Sequence, residues 1–490
     1  MVYTSGMPLT STTRGPAIVW FRQDLRLTDN PALSHALARH STVIPVYLHG
    51  PEEEGDWPPG GASRWWLQHS LESLARDLRA TGSQLLLRSG SALPALRKLV
   101  QETGATGVYW NRRYEPDSIA RDQVVKSELR GDGLTVESFN GSVLFEPWEI
   151  GTKTGGPYQV FTPFWKACLA QLSVPAPLDS PSAIPGPSHW PVSESLAMWK
   201  LLPELQWDAG FAKAWSPGEA GAAQNLTRFL KHAVSSYREG RNAPGEAGTS
   251  RLSPHLHFGE ISPRQVWEAV QRAFRGAPPE DARTFLTEIG WREFAYHILF
   301  HFPHTPSTPL RADFQRFAWE TNPAHLRAWQ RGLTGYPIVD AGMRELWTTG
   351  WMHNRVRMIV GSFLTKDLRI SWTAGARWFW DTLVDADLAS NTLGWQWIGG
   401  CGADAAPYFR VFNPMTQGEK FDPAGTYVRR WVPELSQLPN RVIHQPWTAS
   451  PEELRRAGVE LGKTYPQPIV DHAQARTLAL AAFADLKKPV

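Results

Sequence analysis

Five short apolar runs alternate with amphipathic stretches over residues 17–140. Most of these runs have the length of a strand, are rich in Val, Ile, Leu and aromatic residues, and lack a polar face. Buried strands separated by helices predict a parallel, five-stranded, Rossmann-like sheet covered by helices on both faces. The runs are AIVWF, TVIPVYL, QLLLR, GVYWN and TVESF.

The pattern changes twice after this region. Residues 146–215 are rich in Pro, Ser and Gly, as in VPAPLDSPSAIPGPSHWPV, which predicts an interdomain linker or a long surface loop. From residue 216 onward, amphipathic helices follow one another without a strand pattern, which predicts an all-α domain. We therefore divide the chain into a flexible tail (1–15), an α/β domain (16–145), the linker (146–215) and a helical domain (216–490).

Length and cysteine content agree with this division. A chain of 490 residues has room for two domains, since single cores stop growing near about 250–300 residues. Cys168 and Cys401 form no disulfide framework and show no metal-ligand spacing, which fits a reducing compartment. The first 15 residues lack the apolar core of a signal peptide, and no stretch approaches a membrane span.

Charge and aromatic content leave the ligand open. The formal net charge is +3 and the pI is near 8.8, which permits a polyanionic partner without requiring one. The 24 tryptophans fit a core filled with large rings, and they equally fit stacking on sugars, bases or flavins. The α/β half contains neither G-x-G-x-x-G nor G-x-x-x-x-G-K-[ST], which argues against a fingerprinted dinucleotide or triphosphate site there.

Two stretches of the helical half combine polar groups with helix signals. In GTSRLS, backbone N–H groups and the hydroxyls of Thr249, Ser250 and Ser253 suit a phosphate group, with plain N-capping as the alternative. Glu288 and Arg292 lie four residues apart on one helical face. A buried Glu288 would act as an acid or hydrogen-bond donor, whereas an exposed one would form a surface ion pair with Arg292.

A third stretch places unusual side chains on one stripe of a helix. Trp351, Asn354, Arg355 and Met358 recur at intervals of three and four residues. A stripe with an amide and a guanidinium is too polar for a core, and its indole and thioether are too apolar for a solvated face. We therefore predict a pocket wall.

A fourth stretch is acidic. Asp385 and Asp387 precede an apolar helical pattern, which they either cap or flank as acceptors for a heterocyclic N–H and a ribose hydroxyl. The Asp-x-Asp pair also suggests a metal, but no further carboxylate or histidine stands at a suitable spacing.

Six motifs together resemble the DNA photolyase/cryptochrome family. They occur in the family's order over roughly residues 17–440. The resemblance implies an α/β antenna domain, a long connecting loop and a helical domain that holds a bent FAD. The motifs are WFRQDLRLTDNPAL, GTSRLSP, WREF, GYPIVDAGMRELWTTGWMHNRVRM, DADLASN and GWQWIGGCGADAAPYFRVFNP.

The resemblance also implies which residues surround the flavin. Asn391 would face the reactive ring nitrogen N5, and Phe285 stands where many bacterial members have a tryptophan near the FAD phosphates. Trp395, Trp372 and Trp319 match the chain of tryptophans that carries an electron from the surface to the flavin. The implied FAD-binding set is Tyr237, Thr249, Ser250, Leu252, Ser253, Arg292, Trp351, Asn354, Arg357, Asp385, Asp387 and Asn391.

The substrate pocket resembles that of cyclobutane pyrimidine dimer (CPD) photolyases. The (6-4) photolyases have histidines at the positions of Asn354 and Met358, and plant cryptochromes usually have Asp and Tyr at those of Asn391 and Trp397. The stretch GGASRWWLQHSL resembles the bacterial CPD photolyases nearest to plant cryptochromes, called class III. The implied DNA-binding set is Arg241, Glu288, Trp291, Arg355, Met358, Trp397, Arg410 and Lys420.

The implied activity is light-driven repair of UV-damaged DNA. Excited reduced FAD donates an electron to a dimer flipped out of the duplex, the cyclobutane ring splits, and the electron returns. Glu288, Asn354 and Met358 would act on the dimer, with Glu288 bonded to its carbonyl. A monomer in the bacterial cytoplasm, at the nucleoid when bound to DNA, is expected.

The antenna chromophore and two other functions stay open at this point. Methenyltetrahydrofolate is expected in or beside the α/β domain, with Glu115 of NRRYEPD as a contact, and a deazaflavin or an empty site is the alternative. A cryptochrome-type blue-light photoreceptor would bind FAD without repairing DNA. A tryptophan-rich carbohydrate-binding protein would be colourless.

Overall fold

The computed structural model describes residues 15–405 and 409–486. The predicted flexible tail therefore lies outside the described residues, except for Gly15. The five predicted strands form one parallel sheet in the order β3-β2-β1-β4-β5. They are β1 Ala17–Phe21, β2 Val43–His49, β3 Leu86–Ser89, β4 Gly107–Asn111 and β5 Thr135–Phe139.

Helices cover both faces of this sheet, as predicted. Ala17, Val19 and Phe21 of β1 face one buried cluster, and the alternate residues Ile18 and Trp20 face another. The helices of this half are α1 Pro31–Arg39, α2 Gly61–Ala80, α3 Ala92–Thr103 and α4 Pro116–Gly131, with a 3₁₀ turn at Pro51–Glu54.

The Pro-rich segment contains more regular structure than its composition predicts. Helix α5 (Phe161–Ala170) forms there because FTPFWKACLA supplies four buried side chains that pack on the helical half. A 3₁₀ turn (Leu196–Trp199) and the short α6 (Phe211–Ala214) follow. The domain boundaries at 145/146 and 215/216 stay predictions.

The rest of the described chain is helical, which confirms the second predicted fold class. No helix among the described residues has the length and hydropathy needed to cross a membrane. The helices are α7 Glu219–His232, α8 Tyr237–Gly240, α9 Ser253–His257, α10 Pro263–Ala273, α11 Glu280–His301, α12 Pro323–Gln330, α13 Pro337–Thr349, α14 Asn354–Ser362, a π-helix Phe363–Asp367, α15 Trp372–Thr382, α16 Leu388–Gly399, α17 Pro414–Phe421, α18 Thr426–Trp431, α19 Pro451–Ala457 and α20 His472–Asp485.

A buried polar network joins the two halves directly after β1. Arg26 is 1% exposed and donates to the carbonyl oxygens of Asp29 (2.7 Å), Gly141 (2.8 Å) and Gly259 (2.8 Å). The Asp29 carboxylate accepts from Arg264 Nε at 3.1 Å and from the Ser262 hydroxyl at 2.5 Å. We call Arg26, Asp29 and these partners the interdomain network.

One face of α11 holds the start of the Pro-rich segment. Glu293 accepts from the backbone N–H groups of Leu144 (2.8 Å) and Phe145 (3.1 Å). One turn later, His297 Nε2 accepts from Tyr158 N at 3.0 Å, so its Nδ1 carries the proton and donates to Pro147 O at 3.2 Å. Burial and the neighbouring His301 lower the pKa of His297 to about 4.

Substituting Arg26→Met tests the interdomain network. The apolar side chain leaves three buried carbonyl oxygens without their donor, so we expect a loss on the order of 3 kcal/mol in unfolding free energy. Thermal melting measures it. Arg272→Met is the control, because its side chain is 78% exposed and its ion pair lies at the surface. Equal melting temperatures for the two variants would contradict the role given to Arg26.

A second test uses the pKa of His297. Since the folded-state pKa (about 4) lies below the reference value of 6.5, the unfolded chain binds more protons between these values. Stability is therefore fully present above about pH 6.5 and falls as the pH drops toward 4, by about 3 kcal/mol from this group. His297→Gln keeps a donor and an acceptor but does not titrate, so its melting temperature should fall less between pH 6.5 and 4.5. The exposed His189→Gln is the control; parallel curves for His297→Gln and wild type would refute the assignment.

Candidate active site

The loop before α9 brings together the residues expected at the cofactor phosphates. Ser253 opens α9, and its hydroxyl lies 3.3 Å from Trp351 Nε1. The N-cap residue of α9 is Leu252, and no side chain caps the helix, so the N-capping alternative for Thr249 and Ser250 is wrong. Both are half-buried in the loop.

Next to this loop, an arginine that the sequence did not single out stacks between two indoles. The Arg251 guanidinium lies 4.1 Å from the ring centroid of Trp215 and 4.6 Å from that of Trp351. Arg251 has a φ of 54°, a left-handed conformation that turns its side chain back between the rings. Cation–π contacts of this kind fix the plane of Trp351.

Tyr237 lies at the other end of the loop, in an aromatic cluster. Its ring is 5.3 Å from Phe285, which is 4.4 Å from Phe229. Phe285 is 3% exposed, so phenylalanine fills this position without leaving a ring face open. Arg241 lies over the Tyr237 ring at 5.6 Å.

Two arginines of the predicted flavin set have acceptors that fix them. Arg357 donates to Asp385 (2.8 Å) and to Met352 O (2.7 Å). Arg292 donates to Ser142 O at 2.6 Å rather than to Glu288, so the surface ion pair considered for these two residues is wrong. A helix pattern fixes which residues share a face, but not which distant partner binds them.

Asp387 both caps a helix and accepts from side chains. Its Oδ1 accepts from Ser390 N (2.7 Å) at the start of α16, and its Oδ2 accepts from the Tyr296 hydroxyl (2.6 Å). Burial alone would raise its pKa, but His257, Arg292 and Tyr296 lower it below the usual range. Asn391, which the resemblance places at the flavin ring nitrogen N5, lies one turn into α16.

Two buried histidines near the loop before α9 and the start of α14 have ring nitrogens without hydrogen-bond partners among the described residues. His353 is 2% exposed and accepts from Arg355 N through Nδ1, while its Nε2 has no hydrogen-bond partner among the described residues. Within the same residues His257 Nδ1 also lacks one, 3.7 Å from Asp387 Oδ2. The pKa of His353 is lowered to about 3 by burial and then by nearby arginines, so the ring is neutral. Buried polar atoms of this kind need a partner, which a bound group would supply.

A second group of predicted residues lies on the other side of α14. Glu288 pairs with Arg241, and burial raises the pKa of its carboxyl although Arg241 opposes the shift. Arg355 donates to Asn242 Oδ1 at 2.6 Å and lies 3.5 Å from Met358 Sδ. Asn354, the first residue of α14, is exposed.

Met358, Trp397 and Arg410, three residues of the implied DNA-binding set, line one small pocket. Sequence reasoning missed Lys366, which lies in its floor on the π-helix. Its Nζ donates to Gly399 O at 2.6 Å and lies 3.4 Å from the Phe409 ring centroid. Burial lowers the pKa of Lys366 well below its usual value. The sequence feature that could have revealed Lys366 is its spacing, because it lies four residues after another pocket residue, Ser362, in an otherwise apolar run.

The basic residues expected at DNA phosphates are spread around this pocket. Arg410 and Lys420 are exposed. Lys420 lies 5.2 Å from the Phe421 ring, and Arg355 lies 4.5 Å from the same ring. Trp291, an aromatic residue of the same implied set, is stacked against another ring. The Phe161 ring of α5 lies on one of its faces at 3.8 Å.

Two of the three tryptophans expected to form an electron-transfer chain are buried, and the third is half-buried. Trp395 is 2% exposed, Trp372 is 3% exposed, and Trp319 is half-buried. Helices α15 and α16 approach closely because Gly375 has no side chain: a Cβ there would lie 2.1 Å from Trp395 Cη2.

A further pocket lies between the two halves. Trp57, Trp380 and His257 line it together with the carboxyl ends of β1 and β2. Arg113 also lines it, whereas Glu115 does not and instead binds Arg113 Nε at 3.1 Å. In the described parts of the chain, no cluster of His, Cys, Asp or Glu could hold a metal ion.

Comparisons with known proteins agree with this geometry. The family model described as DNA photolyase matches residues 17–182, and the one described as the FAD binding domain of DNA photolyase matches residues 285–485. Deoxyribodipyrimidine photo-lyase of Agrobacterium fabrum (strain C58) is 53% identical over 98% of this chain and 99% of its own length. Cryptochrome-1 of Arabidopsis thaliana is 44% identical over 94% of this chain and 69% of its own length.

Among solved structures, the crystal structure of a bacterial class III photolyase from Agrobacterium tumefaciens matches with a TM-score of 0.94. It is 52% identical and covers 99% of this chain and 100% of that chain. The carbohydrate-binding alternative is thereby removed. The motifs, the two-part fold, the family models and the relatives agree that the chain belongs to the DNA photolyase/cryptochrome family.

Proposed function

We propose that this chain is a deoxyribodipyrimidine photolyase of the class III type, which repairs cyclobutane pyrimidine dimers in DNA with light. The observation that carries the proposal is the position of α14 between the two groups of site residues. Arg357 binds Asp385 on the cofactor side, and Met358 lines the small pocket with Trp397 on the other. One helix therefore touches both the cofactor and the substrate.

The FAD-binding domain holds a donor set that fits FAD. Hydroxyls and N–H groups at 249–253 suit the phosphates, Asp385 and Asp387 suit N–H and hydroxyl donors, and the free nitrogens of His257 and His353 suit acceptors or donors on the heterocycles. Bound in reduced form, FAD supplies the electron that opens the dimer. The Asn391 amide, which donates to Ala376 O (3.1 Å), would face the reactive ring nitrogen of the flavin.

Glu288 acts on the dimer as a hydrogen-bond donor. Burial raises the pKa of its carboxyl against the opposing charge of Arg241, and a carboxylic O–H aimed at a pyrimidine carbonyl would stabilise negative charge that develops there. Arg241 holds Glu288 in place and adds a positive charge at the rim of the site.

Aromatic and thioether side chains receive the flipped-out dimer. Trp291 and Trp397 form apolar walls, on which stacking contributes on the order of 1–3 kcal/mol per base. Met358 fills the space beside Asn354 and excludes water. Because a damaged step is poorly stacked, flipping costs less there than at intact DNA, which gives selectivity.

Basic side chains around the pocket bind the phosphates that flank the dimer. Arg241, Arg355, Arg410 and Lys420 each neutralise one phosphate and release counterions, so affinity falls by about 0.9 log units per contact for each decade of salt. This contribution does not depend on base sequence and orients the duplex over the pocket.

The pocket between the two halves is the proposed antenna site for methenyltetrahydrofolate. Trp57 and Trp380 offer ring faces, with centroids 5.4 Å apart. Trp57 Nε1 and Ser63 Oγ, two of its lining residues, lack hydrogen-bond partners among the described residues. Glu115 acts by holding Arg113 against this pocket. Monomeric state and location in the cytoplasm at the nucleoid remain part of the proposal.

Light-driven repair of a defined lesion tests the function. We expect photoreduced protein to restore a thymine-dimer oligonucleotide in blue light but not in the dark, and to leave a (6-4) lesion unchanged. Glu288→Gln should lower the repair rate about 10- to 100-fold, since one donor to the developing charge is weakened. Photoreducible FAD without repair would favour the photoreceptor alternative.

Replacement of Trp372 tests the tryptophan chain separately. Trp372→Phe removes the middle redox-active ring of Trp395, Trp372 and Trp319, so photoreduction of the oxidised protein should slow at least tenfold. Chemically reduced protein should still repair at the wild-type rate, since repair does not use the chain. Absorbance of the flavin under illumination measures the first rate. Unchanged photoreduction would show that another path carries the electron.

A further inference from the structure

One face of Trp291 is covered by a stack of rings behind the dimer pocket. The Phe161 ring lies parallel to Trp291 at 3.8 Å with an interplanar angle of 9°. Trp165 lies nearly parallel to Phe161 on the same helix at 6.4 Å and 14°. One face of Trp291 is therefore held by this stack, while the residue as a whole is only half-buried.

The stack is buried because α5 approaches α11 closely. A Cβ at Gly290 would lie 2.7 Å from Trp165 Cδ2, so only glycine allows this spacing next to Trp291. Phe294, one turn later on α11, meets the edges of Phe161 and Trp291, both at 5.9 Å. The ring of Phe161 is 7% exposed. These contacts leave Trp291 little freedom to tilt.

The loop after α16 fixes the first turn of α5. Asp404 Oδ1 accepts from Phe161 N at 3.1 Å, and Asp404 N donates to Gln159 O at 2.9 Å. Asp404 has a φ of 52°, a left-handed conformation in which Asp and Asn are enriched. This loop follows α16, the helix that carries Trp397. The same segment of chain therefore positions both aromatic walls of the pocket, Trp397 directly and Trp291 through Phe161.

We infer that Phe161 and Asp404 are positioning residues that hold Trp291 in the orientation needed to distinguish a dimer from undamaged DNA. This inference rests on the proposed function. A wall that is already fixed loses no side-chain freedom when the dimer binds, whereas ordering a mobile side chain on binding weakens affinity about two- to tenfold. Without Phe161, Trp291 tilts into the space behind it and loses its fit to the fused rings.

Substitution of Phe161 tests the inference through binding. We expect Phe161→Ala to weaken binding of a thymine-dimer oligonucleotide about three- to tenfold, and to leave the affinity for undamaged DNA unchanged. Phe164→Ala is the matched control: Phe164 lies on the same helix, is 2% exposed, and packs on Phe294 and His297 rather than on Trp291. Melting temperature and flavin absorbance verify folding and cofactor loading.

A double-mutant cycle separates positioning from general destabilisation. If Phe161 acts through Trp291, then Phe161→Ala should change dimer affinity little in a Trp291→Ala background. Additive effects would overturn the inference, as would equal losses for Phe161→Ala and Phe164→Ala.

Asp404 provides a test that leaves the rings intact. Asp404→Asn keeps the acceptor and tolerates the left-handed backbone, so it should bind the dimer like wild type. Asp404→Ala removes the acceptor and should weaken dimer binding about threefold. Equal binding by both variants would refute the role of Asp404. Wild-type protein that fails to prefer the dimer over undamaged DNA would instead contradict the proposed function.

Discussion

The structure depends on the buried charge of Arg26. A guanidinium that is 1% exposed cannot remain in the interior unless every donor has an acceptor. Its acceptors come from the turn after β1, from the segment after β5 at Gly141, and from the helical half at Gly259. Gly259 has a φ of 63°, and a Cβ there would lie 2.1 Å from Gln23 O, so the two halves meet backbone to backbone. The two preceding residues, His257 and Phe258, line the pocket between the halves. The same contact thus sets the domain orientation and the floor of that pocket.

The sequence predicted the elements well, because their signals are local. Alternation of apolar runs and helices predicts the sheet correctly. The stripe predicted from Trp351 to Met358 is wrong at its start, because α14 begins at Asn354 and Trp351 precedes it. The interdomain network could not be predicted this way, since Arg26 and Asp29 lie in a turn without periodicity and their partners are more than 100 residues away. Helix α5 was not predicted, because the prolines around it made the whole segment resemble a loop.

The candidate site shows the same division between local and distant information. Four-residue spacing correctly put Glu288 and Arg292 on one face, yet each found a partner elsewhere, in Arg241 and Ser142. The stacking of Arg251 between two indoles depends on a left-handed backbone that no pattern in the sequence marks. The family resemblance supplied residue roles that spacing alone did not, and it gave no indication of the ring stack behind Trp291.

The π-helix after α14 limits how this region of the chain can vary. Lys366 at one end of it binds Gly399 O at the pocket floor, and Asp367 binds His472 of α20. An α-helix advances by about 100° per residue, so deleting one residue here would turn everything upstream by that angle relative to these two anchors. Such a deletion would restore ordinary helical geometry and still displace Met358 or α20. Deletion or insertion of a single residue in this segment should therefore disrupt the fold.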